Sequence, residues 1–514
     1  MRSPAPMKLF LVAATAGALV ACGGGSSASA STITVGTTDV VSSIDPAKGY
    51  GSGDQAVMNA LYQGVMWTPP GKSDPEPQLA ESCSFKDTLT YVCTIKTGQK
   101  FSNGDSLTAT DVAFSINRVK SINDPVSGAF LLESLDKAEA TSDTEVVYHL
   151  NRPNDAWPKV LAGPMAFVVP SKVFSPTKVM DNADVIGSGP YKIGKFTAGE
   201  IVSLTLNPNY TGTKPKNDGV IFRYYQTPSS MRLAFQNKDV DVAFAWRSLT
   251  TGDVRALGSG QGVQVIQLPG LDTRYLVFNT KIAPGDNVAV RRAVAQLINR
   301  DALAQQVMGG GVQPLYAIAP TGFTGSDTQP FKTVYGQPSV DAARRILSDA
   351  SVKTPVPLTL WYTPSHYGGT AGDEANEVSR QLNAGGLFDV KLQSSEWDQY
   401  NVGTNDGISG FDMGGWYPDY ADPDNFLAGL LSGGWTTNYD NADVKKWLSD
   451  EQAGTDEAAR AKLFAQIEQQ VAQDAPVIPL YQSNYTVLVQ GGVSGIKESA
   501  NVLFTLDYTL WSKS

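Results

Sequence analysis

The chain has 514 residues and carries 40 Lys and Arg against 50 Asp and Glu, a formal net charge of −10. That length exceeds what one hydrophobic core holds, so two or three domains are expected. An acidic chain with no basic cluster is excluded as a phosphate-neutralising nucleic-acid binder, and two His in total exclude a histidine-rich metal centre.

The N-terminus reads as an export signal. Arg2 and Lys8 are the only charges before Asp39, and Leu9 to Ala21 form an apolar stretch too short for the ~20 residues a bilayer span needs. The stretch closes on Leu19-Val20-Ala21-Cys22, which resembles the lipobox of bacterial lipoproteins. The resemblance implies removal of residues 1–21 and a multiply acylated Cys22, since one acyl chain anchors only marginally. Residues 22–32 then form a flexible tether rich in Gly, Ser and Ala. No other apolar run is long enough to cross a membrane.

Ile33 to Thr37 alternates as a half-buried strand does. Of three Cys, lipidation of Cys22 leaves Cys83 and Cys93 as one pair in an oxidising compartment. They bracket a hairpin turning near Asp87-Thr88, and their symmetry about residue 88 sets them opposite each other at disulfide range. Gly71-Lys72-Ser73 is not a phosphate loop, because Met66 stands where a Gly is needed. Thr108-Ala109-Thr110-Asp111 is a helix start, followed by Val112, Ile116 and Val119 at helical spacing. Strands are expected at Ile201–Leu206, Val220–Tyr225, Tyr275–Asn279 and Leu358–Tyr362. Helices are expected around Val290, Val294, Leu297 and Ile298, and around Leu463, Phe464, Ile467 and Val471. This mixture predicts α/β domains. Asp-Val-Ala-Phe occurs at 111–114 and 241–244, but nothing around the two copies extends the likeness, so no repeat is read.

Catalytic machinery is not found. His149 sits in a strand-like run, no G-x-S-x-G elbow occurs, and a carboxylate-pair hydrolase is the one enzyme class that residue counting leaves open. Asp419, Asp422 and Asp424 are close enough in sequence to suggest calcium, although their spacing is not that of an EF-hand; Asp422-Pro423 equally reads as the start of a turn.

Four stretches together resemble the peptide/nickel-type (family 5) solute-binding proteins of bacterial ABC importers, in the oligopeptide and dipeptide group. They are Ile44-Asp45-Pro46-Ala47-Lys48 with Asn59 to Val65; Phe101 to Ser115; Gly187-Ser188-Gly189-Pro190-Tyr191 with Asn207-Pro208-Asn209-Tyr210; and Arg291-Arg292-Ala293-Val294 through Asn299-Arg300-Asp301-Ala302-Leu303. The resemblance implies a two-lobed periplasmic-binding-protein fold of type II, with an extra subdomain, closing around a central cleft. Lobe 1 would be 33–268 plus 485–514, with a subdomain at about 69–186, and lobe 2 would be 269–484. It also implies a monomer that needs no cofactor, held at the outer face of the membrane and delivering a solute to permease subunits. The solute would be a short peptide, with an oligosaccharide or a metal chelate as alternatives.

The resemblance further places the ligand against Gly415-Trp416-Tyr417-Pro418-Asp419. Asp419 would hold an α-ammonium, Gly415 would allow close approach, and Trp416 and Tyr417 would form a wall. Tyr50, Gly51 and Ser52 would face them from the other lobe. Tyr481 lies in a matching P-x-Y-Q run, but Ser483 replaces the second aromatic of relatives that take longer peptides. No Lys or Arg matches the group that receives a peptide carboxylate.

Overall fold

In a computed structural model, the residues described are 31–514 except 246–247, 323–327, 365, 406–408, 433–436 and 455. The leader, Cys22 and most of the tether fall outside them.

One mixed sheet runs through the molecule. Its strands lie in the order Phe388–Ser394, Val356–Tyr362, Phe411–Trp416, Gln264–Phe278, Val477–Val489, Val242–Phe244, Ile33–Thr37, Gly219–Tyr224, Ile201–Leu206 and Tyr191–Thr197. Val312–Pro314 pairs beside this path with Val477–Val489. The two long central strands are antiparallel and cross from one lobe to the other. Gln264 to Pro269 pairs with Val489 to Asn484, and Thr273 to Val277 pairs with Gln482 to Val477. Between these halves the register shifts, at Pro269–Thr273, and it shifts again at Arg274–Tyr275. Each half belongs to a separate hydrophobic core. One core gathers Ile33, Val35, Phe222, Val242, Val487 and Trp511; the other gathers Tyr275, Phe278, Val294, Leu360, Phe411 and Ile478. The strand expected at Tyr275–Asn279 is thus the end of a 15-residue strand, Gln264–Phe278. Pro269-Gly270, a turn signal in sequence, lies within it.

A second, four-stranded antiparallel sheet has the order Ala80–Asp87, Thr90–Ile95, Glu145–Leu150 and Leu135–Ala140. Helix Ala109–Ile122 packs against it around a third core that includes Ile95, Val112, Ile116, Val146 and Trp157. The capping box is formed: the Thr108 amide donates to Asp111 at 3.0 Å. Cys83 and Cys93 are register partners and are disulfide-bonded, with Cα atoms 4.1 Å apart. The two Asp-Val-Ala-Phe copies differ completely, one in this helix and one at strand Val242–Phe244.

The stretches that carried the family likeness act as joints between segments. Asp45 forms a bidentate, fully buried pair with Arg118, at 2.7 and 2.6 Å. Asp45 also accepts from the amides of Ala47 and Met180, at 2.9 and 2.6 Å. Arg118 spends its other donors on the Ser175 and Lys178 carbonyls. A Cβ on Gly187 or Gly189 would come within 2.0 or 2.6 Å of the Leu61 backbone, so only glycine allows that approach. Arg291 clamps the Asp474 and Gly285 carbonyls at 2.8 Å each.

Removing one partner of a buried pair leaves the other charge uncompensated. Asp45→Ala is therefore expected to cost about 3–5 kcal/mol. Urea unfolding would show this as a lower midpoint at unchanged slope, and a midpoint equal to the unsubstituted protein would contradict it.

Candidate functional site

Strand Phe411–Trp416 lies beside the second half of the crossing strand, with Gly415 opposite Arg274 and Trp416 opposite Thr273. A Cβ on Gly415 would sit 2.8 Å from both the Thr273 carbonyl and the Tyr367 ring, so here glycine admits neighbouring protein. After Trp416 the chain turns into helix Pro423–Leu431, whose N-cap is Asp422. The expected turn at Asp422-Pro423 is this cap, with the Asp424 amide donating to Asp422 at 3.0 Å. Trp416 faces its own lobe: its indole N–H donates to Asn425 at 2.9 Å and its ring lies against Gly429.

Asn425 organises Asp419. Its side-chain oxygen accepts the Asp419 amide at 3.0 Å, and its NH2 donates to the Asp419 carboxylate at 3.2 Å. The other carboxylate oxygen accepts the Tyr50 hydroxyl from the opposite lobe. Among the described residues no Lys or Arg pairs with Asp419. Burial pushes its carboxyl above the ordinary range, and the hydrogen bonds from Tyr50 and Asn425 only partly offset this. The Tyr50 phenol is pushed up as well, by burial and then by Asp419.

Tyr50, Gly51 and Ser52 enter helix Ser52–Leu61. The amides of Tyr50 and Gly51 both donate to Asp54 at 3.1 Å. They are turned into the lobe, so this stretch presents side chains to the cleft: the Tyr50 hydroxyl, and Ser52, which donates to Asp39 at 2.9 Å. Tyr417 reaches the Leu503 carbonyl at 3.1 Å. Two small voids of about 30 and 40 Å³ flank Tyr417, lined among others by Gln55, Asn59 and Asp419, and by Asp39, Ser52 and Phe504.

A space of about 730 Å³ between the lobes lies along the crossing strands. Thr38, Gln226 and Ala245 line it from one side, and Tyr367 and Thr370 from the other. Gln267, Asp272, Arg274, Tyr481 and Asn484 form its floor. Tyr481 is thereby placed beside Arg274 and Glu374, which form a buried pair at 3.1 Å. Thr38, Arg274 and Tyr367 were not singled out in sequence. Arg274 is followed by an apolar strand and resembles any strand-end charge, and its partner lies a hundred residues away.

The three aspartates near 420 do not converge on a common point. Asp419 is held by Tyr50 and Asn425, and Asp424 by Tyr420 and Gln452. Asp422 pairs with Lys159 at 2.7 Å and, through both oxygens, with Arg460. The calcium reading has no shared cage to rest on. Instead Lys159 joins the lobes, and Asp155 beside it pairs with Arg460 at 3.4 Å. Burial opposes ionisation of Asp422, but Lys159 and Arg460 outweigh it and hold its carboxyl below the ordinary range.

Residues 74–438 match the family described as bacterial extracellular solute-binding proteins, family 5 Middle. The dipeptide-binding protein DppE of Bacillus subtilis (strain 168) is 26% identical over 486 residues, covering 88% of this chain and 87% of that protein. The periplasmic oligopeptide-binding protein OppA of Salmonella typhimurium is 24% identical over 485 residues, covering 88% of each. The crystal structure of a dipeptide-binding protein from Pseudoalteromonas sp. SM9913 in complex with Met-Leu superposes with a TM-score of 0.80. It is 19% identical and covers 94% of this chain and 100% of that one, a likeness of fold.

A charge-assisted hydrogen bond contributes about 1.5–3 kcal/mol. Lys159→Met is therefore expected to shift the ligand-free protein toward separated lobes, seen as a larger radius of gyration in small-angle scattering. An unchanged scattering profile would count against Lys159 as an interlobe tie.

Proposed function

The chain belongs to the family 5 bacterial extracellular solute-binding proteins, and from that premise we propose that it captures a short peptide between its lobes and presents it to the permease subunits of an ABC importer. The division is 33–268 with 485–514 against 269–484, with a subdomain at about 69–186; the register break at Pro269–Thr273 supports it. Contacts to both lobes favour the closed arrangement, so binding shifts an open–closed equilibrium without changing the ligand chemically. Residues 1–21 direct export, and a lipidated Cys22 on the 22–32 tether holds the monomer at the outer face of the membrane. No described helix is long and apolar enough to cross a membrane.

The observation that carries the peptide reading is Asp419. It is a desolvated carboxylate at the meeting of the lobes, fixed by Asn425 and Tyr50 but lacking a cation among the described residues. A ligand ammonium supplies that cation, and the charge-assisted bond is stronger than the neutral one from Tyr50. Tyr50, Gly51 and Ser52 form the facing wall, Tyr417 and the Gly415-Trp416 backbone border the ligand, and Tyr481 closes the far end. The names of the relatives, which bind dipeptides and oligopeptides, agree with this.

Removing one partner of a buried charge pair weakens binding by about 2–5 kcal/mol, or ~30- to several-thousand-fold. Calorimetry should show that loss for Asp419→Asn with trialanine, and a comparable loss for the wild type when trialanine is N-acetylated. Equal binding of free and acetylated peptide by the wild type would remove the ammonium from the site.

A further inference from the structure

We infer that lobe 1 holds a second small-molecule site, which takes a neutral sugar, in a space of about 330 Å³ behind the C-terminal segment Ser499–Thr509. This site is separate from the interlobe cleft, and its existence does not depend on the peptide reading above.

Three parts of the chain meet around this space. Lys96 and Ala162 line it from the part built on the four-stranded sheet, and Asn501 and Asp507 line it from the C-terminal segment. Asn59, on helix Ser52–Leu61, and Gln63, just past the end of that helix, form a third side. Neither Asp419 nor the floor of the cleft takes part. The partition is the turn from Asn501 to Leu506, in which Leu503 and Thr505 line both this space and the small voids at Tyr417. The Asn501 side chain accepts the Leu503 and Thr505 amides at 3.0 and 2.9 Å and donates to the Thr68 carbonyl at 2.9 Å. The wall is thus fixed by the protein alone, with a compartment on each side.

The lining holds unmet hydrogen-bonding capacity. Gln63 is only 6% exposed, and its side-chain amide makes no hydrogen bond among the described residues; nor does that of Asn59. A buried polar group left unpaired costs stability, so most are paired. A side-chain amide offers two donors and an acceptor, which neighbouring hydroxyls, each both donor and acceptor, match. The charges around the space select no ion. Lys96 and Asp507 are of opposite sign, and each is engaged: Lys96 donates to the Gln78 carbonyl at 2.7 Å, and Asp507 accepts the Thr509 amide and hydroxyl at 3.0 and 2.6 Å. Flat apolar surface completes the lining. Trp67 and Tyr210 are half-buried there, and Tyr62 is stacked with Phe167 at 5.8 Å. The electron-rich face of such a ring attracts the C–H edge of a sugar. The volume stands at the lower end of the roughly 300–1,000 Å³ usual for small-molecule sites, which suits a mono- or disaccharide.

Saturation-transfer NMR titrations on the full mature protein test the site, with glucose, N-acetylglucosamine and maltose as probes. At least one of the three is expected to bind the wild type, and Gln63→Leu and Trp67→Ala are each expected to weaken that binding about tenfold. Excess trialanine is expected to leave it unchanged. Trp67 is half-buried, so Trp67→Ala decides the question even where Gln63→Leu fails to fold. Absence of binding by all three sugars overturns the inference. Binding that trialanine abolishes, or that both variants retain, places the sugar in the cleft or elsewhere and overturns it equally. If trialanine itself does not bind, the peptide reading is what fails, and the two variants still decide the sugar site.

Discussion

Both lobes hang from a single pair of antiparallel strands, Gln264–Phe278 and Val477–Val489, whose hydrogen bonds continue from one hydrophobic core into the other. A ladder of this kind resists shear, because sliding one strand past the other would break every pair and turn each side chain to the wrong face. It bends far more easily where pairing already lapses, at Pro269–Thr273. Pro269 has no N–H to donate, and Gly270 carries no side chain to pack, so this stretch contributes little to the ladder. Rotation about that point is the motion the sheet permits, and the large interlobe space lies directly over it.

Away from the pivot, buried charges do the joining. Asp45 with Arg118, Arg291 with the Asp474 carbonyl, and Arg460 with Asp422 each tie segments far apart in sequence, while Asp54 gathers the nearby amides of Ser42 and Tyr50, and Glu451 joins Arg460 from close by. Burial beside Asp424 raises the Glu451 carboxyl, so this last cluster is ionised unevenly and Asp422 is the better partner for Arg460. Such groups add little net stability over an apolar core, but an alternative packing would strand a charge in a dry interior. Their value here is in fixing where loops such as Tyr50-Gly51-Ser52 stand relative to the cleft.

Local signals were legible in the sequence and long-range ones were not. The capping box at Thr108, the Cys83–Cys93 hairpin and the helix around Phe464, Ile467 and Val471 are settled within a dozen neighbouring residues, and the structure contains all three. Only the end of the crossing strand, Tyr275–Asn279, was expected, because the pairing that extends it runs to residues far along the chain. The amides of Tyr50 and Gly51 face inward because Asp54 collects them, the Gly51 bond being the N3 half of a capping box. Trp416 reads as a ligand wall, and its ring also lies against Gly429 of helix Pro423–Leu431, a contact between elements that sequence spacing does not reveal. Arg274 was invisible because its partners Glu374 and Tyr367 lie far from it in sequence.

The chain's net charge of −10 bears on how a cleft like this can select. An acidic surface repels anions, but screening confines that field to roughly 8 Å at physiological ionic strength. Inside the cleft, by contrast, charges taken out of water act with little screening. On the proposed reading, a solute's ammonium meets Asp419, whose charged form burial opposes and a nearby cation favours. If Asp419 is the anchor we propose, discrimination arises from a contact made only inside the closed cleft and not from the protein's outer field.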